Sequence, residues 1–182
     1  MNKIKVIALF GPAGSGKDYL LHEIIDEIDG LNEIVSCTTR PKREGEVEGV
    51  NYFYLTNQEF YEKVDNGDML EAVCFNDWWY GTPITSLSKD KPNIGVFNIE
   101  GIRCMLEDAR LEVYPIAITA PAKIRLIRQL TREENPNIKE ILRRYTADEK
   151  DFSLVDFEYV IVKNEDGGEG VCDLANIVNS FI

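Results

Sequence analysis

Apolar residues along the chain fall into short, nearly continuous runs, separated by stretches in which they recur at helical spacing. Ile4–Phe10 is one such run and has the length of a buried strand. After it, Leu20, Leu21, Ile24, Ile25 and Ile28 share one helical face, and Gly30 closes the segment. Residues 94–99, 113–119 and 159–162 are further apolar runs that read as buried parallel strands. A last helix carries Leu174, Ile177, Val178 and Phe181 on one side. Strand and helix in this order predict an α/β fold, a three-layer domain around a parallel sheet.

Two segments break the alternation. Residues 36–88 hold short, aromatic, half-polar strands at 52–55 and Met69–Phe75. Between them a helix opens on Thr56 with Glu59 three positions on, a capping-box pattern. Residues 123–147 are highly charged and helical, with an interruption at Asn135 and Pro136. The expected organisation is a core of residues 1–35, 89–122 and 148–182, an α+β insertion at 36–88 and a helical segment at 123–147.

Composition narrows the picture. With 182 residues and 44% apolar content, the chain can bury one good core. No run approaches the ~18 apolar residues of a membrane span. The N-terminal run reads as a strand and not a signal peptide, because no small-residue cleavage site follows it. A cytoplasmic monomer or homodimer with no membrane partner is expected. Cys37, Cys74, Cys104 and Cys172 form no C-x-x-C pair and His22 is the only histidine, so no zinc site is expected. Reduced, mostly buried thiols are the reading. The formal net charge of -12 excludes a long nucleic-acid partner, which needs a basic face. Local clusters of base remain, at Arg40, Lys42 and Arg43 and again between Lys123 and Arg144, and these suit a small anionic ligand.

The strongest chemical signal follows the first strand. Gly11, Pro12, Ala13, Gly14, Ser15, Gly16, Lys17 and Asp18 fit the phosphate-loop pattern G-x-x-x-x-G-K, departing only at the last position, where Ser or Thr is usual. Glycines let successive N–H groups turn inward on phosphate oxygens. Lys17 reaches the β- and γ-phosphates, and the helix that follows adds its dipole. The loop therefore predicts a nucleoside triphosphate as ligand. Asp18, standing where a hydroxyl normally ligates Mg²⁺, is the expected metal ligand.

The insertion then carries Ser36, Thr38, Thr39, Arg40, Arg43, Gly45, Glu46, Gly49 and Tyr52, spaced as S-x-T-T-R-x-x-R-x-G-E-x-x-G-x-x-Y. Further on come Gly67 to Glu71, and Tyr80, Gly81, Thr82 and Pro83. These segments resemble the three acceptor motifs of guanylate kinases, in order and in register with the phosphate loop. The resemblance implies a P-loop NTPase fold with an acceptor-binding insertion and a helical lid at 123–147, and transfer of the γ-phosphate of ATP to GMP or dGMP. It implies that Arg40, Arg43, Tyr52 and Tyr80 hold the acceptor phosphate. It also implies that Glu71 takes the guanine N1–H and N2–H donors, with Ser36 and Thr82 on neighbouring groups. The residue types suit that chemistry, since forked guanidiniums match a phosphate dianion and a carboxylate matches paired donors.

The match loosens toward the C-terminus. Lid cations should close over the transferring phosphoryl, and Arg128, Arg132, Arg143 and Arg144 are the candidates. Arg144 approximates the family's arginine best and Arg132 matches its pattern with a one-residue shift; with Lys17, Arg40 and Arg43 they make up the expected catalytic set. Asn98 and Glu100 stand where the family has Asp-x-Asp. Glu100 can still serve the guanine amino group or ribose, while Asn98 replaces a carboxylate expected near the metal. Asp18 restores that charge, and the two departures read as compensating. A phosphate loop ending Gly-Lys-Asp also resembles ribose 1,5-bisphosphate phosphokinases, whose acceptor has no base to read; the presence of Glu71, Ser36 and Thr82 favours guanine. Guanylate-kinase-like domains that only bind phosphopeptides generally lack a working phosphate loop, whereas this one is complete. Trp78 and Trp79 read as packing residues.

Overall fold

The computed structural model describes every residue except Met1, Asn2, Glu44, Asn76, Glu133 and Gly167; Glu44 of the acceptor motif and Glu133 of the lid pattern thus lie outside the described residues. The elements in chain order are β1 (Ile4–Phe10), α1 (Lys17–Glu27), β2 (Asn32–Glu33), β3 (Cys37–Thr38), β4 (Phe53–Tyr54) and α2 (Asn57–Asp65). Then come β5 (Met69–Phe75), β6 (Trp78–Pro83), a 3₁₀ turn (Ile84–Ser86), β7 (Asn93–Val96), α3 (Ile99–Glu107) and β8 (Leu111–Thr119). The chain ends with α4 (Ala122–Thr131), α5 (Ile138–Phe152), β9 (Val160–Lys163) and α6 (Gly168–Phe181). Two sheets form, one of five strands in the order β2-β7-β1-β8-β9 and one of four in the order β4-β3-β6-β5. In the larger, β2 runs parallel to β7 and β8 parallel to β9. Pro115 lacks an N–H, and the β9 ladder begins only at Ile116.

The chain packs as two compact units. One comprises Met1–Val6, Gly30–Gly95 and Glu100–Val113. Its centre is the antiparallel β5–β6 pair, in which Glu71 lies opposite Thr82 and Val73 opposite Tyr80. Phe60, fully buried on α2, lies against Gly81, where an added Cβ would come within 3.0 Å of its ring. The expected capping box at Thr56 and Glu59 is present and fixes the start of α2. Asn93, also fully buried, orders the entry to β7: its amide donates to the carbonyls of Lys5, Ser88 and Lys91 and its Oδ1 accepts from Asn32 and the Ser88 N–H.

The other unit comprises Ile7–Asp29, Val96–Ile99 and Tyr114–Ile182. Ile7, Ala8, Leu9, Leu20, Ile24, Ile116, Ile118, Leu174 and Val178 have no exposed surface, which follows from strands apolar on both faces and two helices with one apolar face each. Phe10 stacks on Phe152 at 5.6 Å and meets Phe157 and Tyr159 edge-on. The phosphate loop leaves β1 directly beyond this cluster.

Several elements differ from the sequence reading. The run at 94–99 pairs as a strand only to Val96, and Ile99 opens α3, whose Ile102 and Met105 are buried. β6, β2 and β3 have too few alternating residues to declare themselves. The thiols also differ: Cys37 is buried and pushed up to about 11 by desolvation, whereas Cys74, Cys104 and Cys172 are exposed on their strand or helices.

Candidate active site

The phosphate loop spans the turn from β1 to α1. Gly14 and Gly16 adopt φ of 79° and 88°, the left-handed region that turns consecutive amides to one side. Donors hold its outward-facing carbonyls. Asn164, 1% exposed, donates through Nδ2 to the Ser15 carbonyl at 2.9 Å, and Arg128 Nη1 reaches the Gly14 and Ser15 carbonyls at 3.3 and 3.2 Å. Because a trans peptide points its C=O and N–H in opposite directions, anchoring the Ser15 carbonyl from outside aims the Gly16 N–H away from Asn164. Lys17 and Asp18 open α1 with Nζ and Oδ2 3.9 Å apart, and Asp18 is largely solvent-facing. Among the described residues, buried side-chain atoms without a hydrogen-bond partner are Ser15 Oγ, Arg125 Nε and Nη1, and Asn164 Oδ1, all at or beside this loop.

An acid from α5 also touches the loop. Asp148 Oδ2 accepts the Ala13 N–H at 2.6 Å. Burial pushes its carboxyl up, against the lowering pull of that N–H, Lys17 and Arg125. Arg125, 5% exposed, pairs with Glu149 at 2.9 Å and lies over the Tyr145 ring. Sequence reading passed over Asp148, Arg125 and Asn164; only their proximity in the fold singles them out.

In the first unit the acceptor candidates form two linked groups. Thr82 Oγ1 donates to Glu71 Oε1 at 2.8 Å, so the Ser36 hydroxyl, 3.2 Å away, donates to Thr82 in turn. Pairing of β5 with β6 sets Glu71 opposite Thr82, and burial pushes the Glu71 carboxyl up to about 7 despite the Thr82 hydrogen bonds. The second group surrounds Arg40, which is 7% exposed. Its guanidinium lies 5.6 Å from the Tyr52 ring centre and 5.8 Å from that of Tyr54. Tyr80 meets Tyr52 edge-on at 6.0 Å. Arg43 is exposed, with its backbone N–H donating to Glu46. Glu46 and Tyr54 are members of this group that the residue-by-residue assignment omitted.

The other candidates sit on helices. Glu100 sits in the first turn of α3, ion-paired with Arg103. Arg132 is exposed at the C-cap of α4. Arg143 and Arg144 are both paired with Glu140, at 2.7 and 2.8 Å, while Arg128 of α4 donates to loop carbonyls. Trp79 packs on Phe60 and donates to the Tyr61 hydroxyl, as a packing residue should, whereas Trp78 is exposed. Among the described residues no helix is long and apolar enough to cross a membrane, and no cluster of three or more His, Cys, Asp or Glu is placed to hold a metal alone.

Comparisons with known proteins point to one family. The family model for guanylate kinase matches residues 3–180. The guanylate kinase of Chlamydia felis is 31% identical over 169 residues, covering 88% of this chain and 81% of its own length. That of Clostridioides difficile is 28% identical over 180 residues, covering 96% and 87%. A crystal structure of guanylate kinase from Anaplasma phagocytophilum aligns with a TM-score of 0.72 at 24% identity, over 99% of this chain and 88% of that one. The fold is thus the three-layer α/β fold of the P-loop kinases.

Proposed function

The chain belongs to the guanylate kinase family, and we propose that Ser36, Glu71 and Thr82 read the guanine of GMP or dGMP while Arg40, Arg43, Tyr52 and Tyr80 hold its phosphate. It is a nucleoside monophosphate kinase, passing the γ-phosphate of ATP to GMP to give ADP and GDP. The single observation behind the acceptor reading is the buried carboxylate of Glu71 at the end of a hydroxyl relay, in the same unit as a nearly buried Arg40. A base-free acceptor gives no reason to bury an acid. Residues 36–88 then act as the acceptor insertion and residues 123–147 as the lid, with Glu100 available to the base or ribose.

In-line transfer needs positioning and charge neutralisation more than covalent help from the protein. An acceptor phosphate oxygen bonds to the γ-phosphorus as the bond to the β,γ-bridging oxygen breaks, and ADP leaves with that electron pair. Lys17 and the loop amides hold the triphosphate, Arg40 and Arg43 hold the nucleophile, and lid cations among Arg128, Arg132 and Arg144 complete the neutralisation. Asp18 would hold Mg²⁺, which would supply positive charge to offset that of the phosphates. An exposed Asp18 carboxylate beside Lys17 fits it, because Mg²⁺ needs only one or two protein oxygens alongside phosphates and water. We read the enzyme as cytoplasmic, acting as a monomer or homodimer.

A coupled ADP-release assay with GMP, dGMP, AMP, dTMP and ribose 1,5-bisphosphate tests this reading. Turnover is expected with GMP and dGMP; a preference for the base-free acceptor, or none at all, sinks it. The same assay across Mg²⁺ concentrations should show Asp18→Ala needing more metal for half-maximal rate. An unchanged requirement removes Asp18 from the metal.

Glu71 also predicts a pH dependence. Its folded pKa of about 7 lies above the ordinary 4.5, so its contribution to stability is full below about 4.5 and is lost as pH rises through about 7. Binding runs the other way, since guanine donors favour the carboxylate and draw the proton off. At pH 6 only about a tenth of a group with that pKa is ionised. KM for GMP should therefore fall by up to roughly tenfold between pH 6 and pH 8, and calorimetry in buffers of different ionisation enthalpy should detect proton release. A flat profile would separate Glu71 from the base.

A further inference from the structure

We propose that Glu46 is a positioning residue that decides which edge of Arg40 meets the acceptor phosphate, an inference that rests on the acceptor site proposed above. Glu46 takes the end of the guanidinium fork: Arg40 Nη2 donates to Oε1 at 2.8 Å and Nη1 to Oε2 at 3.1 Å. The outer hydrogen of Nη1 goes to the Pro41 carbonyl at 2.9 Å. Tyr52 and Tyr54 lie near the guanidinium, and Tyr54 donates its hydroxyl to the same Glu46 carboxylate at 2.8 Å. Glu46 and Pro41 between them leave the side edge, where Nε–H and the outer Nη2–H lie parallel. Two parallel N–H groups on one edge match two oxygens of a phosphate.

Glu46 also fixes the second arginine. It accepts the Arg43 backbone N–H at 2.8 Å, while its own N–H closes the turn onto the Arg43 carbonyl at 3.2 Å. One carboxylate therefore sets the guanidinium plane of Arg40 and the backbone from which Arg43 departs. Those contacts hold its carboxyl down to about 2, so it stays ionised through the working range.

Charge and positioning make opposite predictions here. As a negative charge beside a dianion site, Glu46 repels the ligand, and removing it should tighten GMP on Coulombic grounds. As the residue that presents the correct edge of Arg40, removing it should weaken GMP. Steady-state kinetics and GMP calorimetry on Glu46→Ala and Glu46→Gln separate the two. We expect KM and Kd for GMP to rise about 10- to 100-fold in Glu46→Ala and less in Glu46→Gln, which keeps one acceptor oxygen. KM for ATP should stay within about twofold. In an Arg40→Ala background, Glu46→Ala should add little, because its effect runs through Arg40.

Tighter or unchanged GMP binding in either folded variant overturns the inference. So does a full additional penalty in the Arg40→Ala background, the outcome of a merely structural role. Should Glu46→Ala not fold, Glu46→Gln alone carries the comparison. Failure of the wild-type protein to bind GMP overturns the acceptor reading itself, and calorimetry on the wild type reports that separately.

Discussion

Glu71→Gln is expected to collapse the base preference, cutting kcat/KM for GMP by roughly 10²–10⁴ while raising it for AMP. The relay from Ser36 through Thr82 ends on Oε1 of Glu71, and a glutamine can keep that acceptor oxygen in place. Its amide NH₂ then replaces the other carboxylate oxygen. Guanine presents N1–H and N2–H₂ donors to that edge, so a donor now faces a donor, and the charge that assisted both bonds, worth ~1.5–3 kcal/mol each, is gone. Adenine presents an acceptor at N1 and a donor at N6, the pattern a carboxamide complements. Sites built on polar matching discriminate by ~10⁴–10⁵, and that margin is what the substitution removes. The measurement is the ratio of kcat/KM for GMP and AMP in both proteins. Melting curves guard against misfolding, and they carry a sign of their own. Wild-type stability should decline relative to the variant as pH rises through about 7, because only the wild type must ionise a buried acid. A retained GMP preference in a folded Glu71→Gln protein would remove Glu71 from base recognition.

Local patterns in the sequence were enough for the phosphate loop and for the strand and helix flanking it, since glycine spacing and apolar periodicity are local signals. The same holds for the capping box of α2, where Thr56 and Glu59 lie three apart and both bonds form. Signals that depend on distant partners were not legible. β6 carries Trp78 to Pro83, and its strand character comes from pairing with Met69–Phe75 and with β3. Asn164 and Asp148 lie about 150 and 135 positions from the loop atoms they touch, and each alone is an ordinary polar residue. The lid arginines are hard to rank for a related reason. Arg143 and Arg144 sit within one turn of Glu140, and pairing on their own helix competes with any role at the loop. Arg128 instead lies on the face of α4 that meets the loop. Helical spacing does not reveal which face that is, because both faces of this segment are charged.

Gly14→Ala should come close to abolishing ATP-dependent turnover, and Gly30→Ala should leave it intact. The two positions share a backbone problem, with φ of 79° and 89°, where an alanine costs ~1–2 kcal/mol. They differ in their surroundings. At Gly30 an added Cβ meets nothing within 4 Å, whereas at Gly14 it comes to 2.5 Å from the Arg125 carbonyl oxygen and 3.0 Å from that residue's carbonyl carbon. Those are backbone atoms of α4, which cannot swing aside as a side-chain tip could. The loop must move instead, and it is pinned by Asn164 and Arg128 on the Ser15 carbonyl. Overpacking of this kind adds ~1–3 kcal/mol to the backbone strain. A displacement near 1 Å in a site that works by alignment costs on the order of 10² in rate. Gly14→Ala should thus lose about 10²–10³ in kcat/KM for ATP. Each kcal/mol of lost stability lowers Tm by ~2–4 °C in a chain of this size, so Gly30→Ala should melt lower with wild-type kinetics. Equal activity loss in both variants would mean that left-handed strain, and not the approach of α4, is what glycine relieves at the loop.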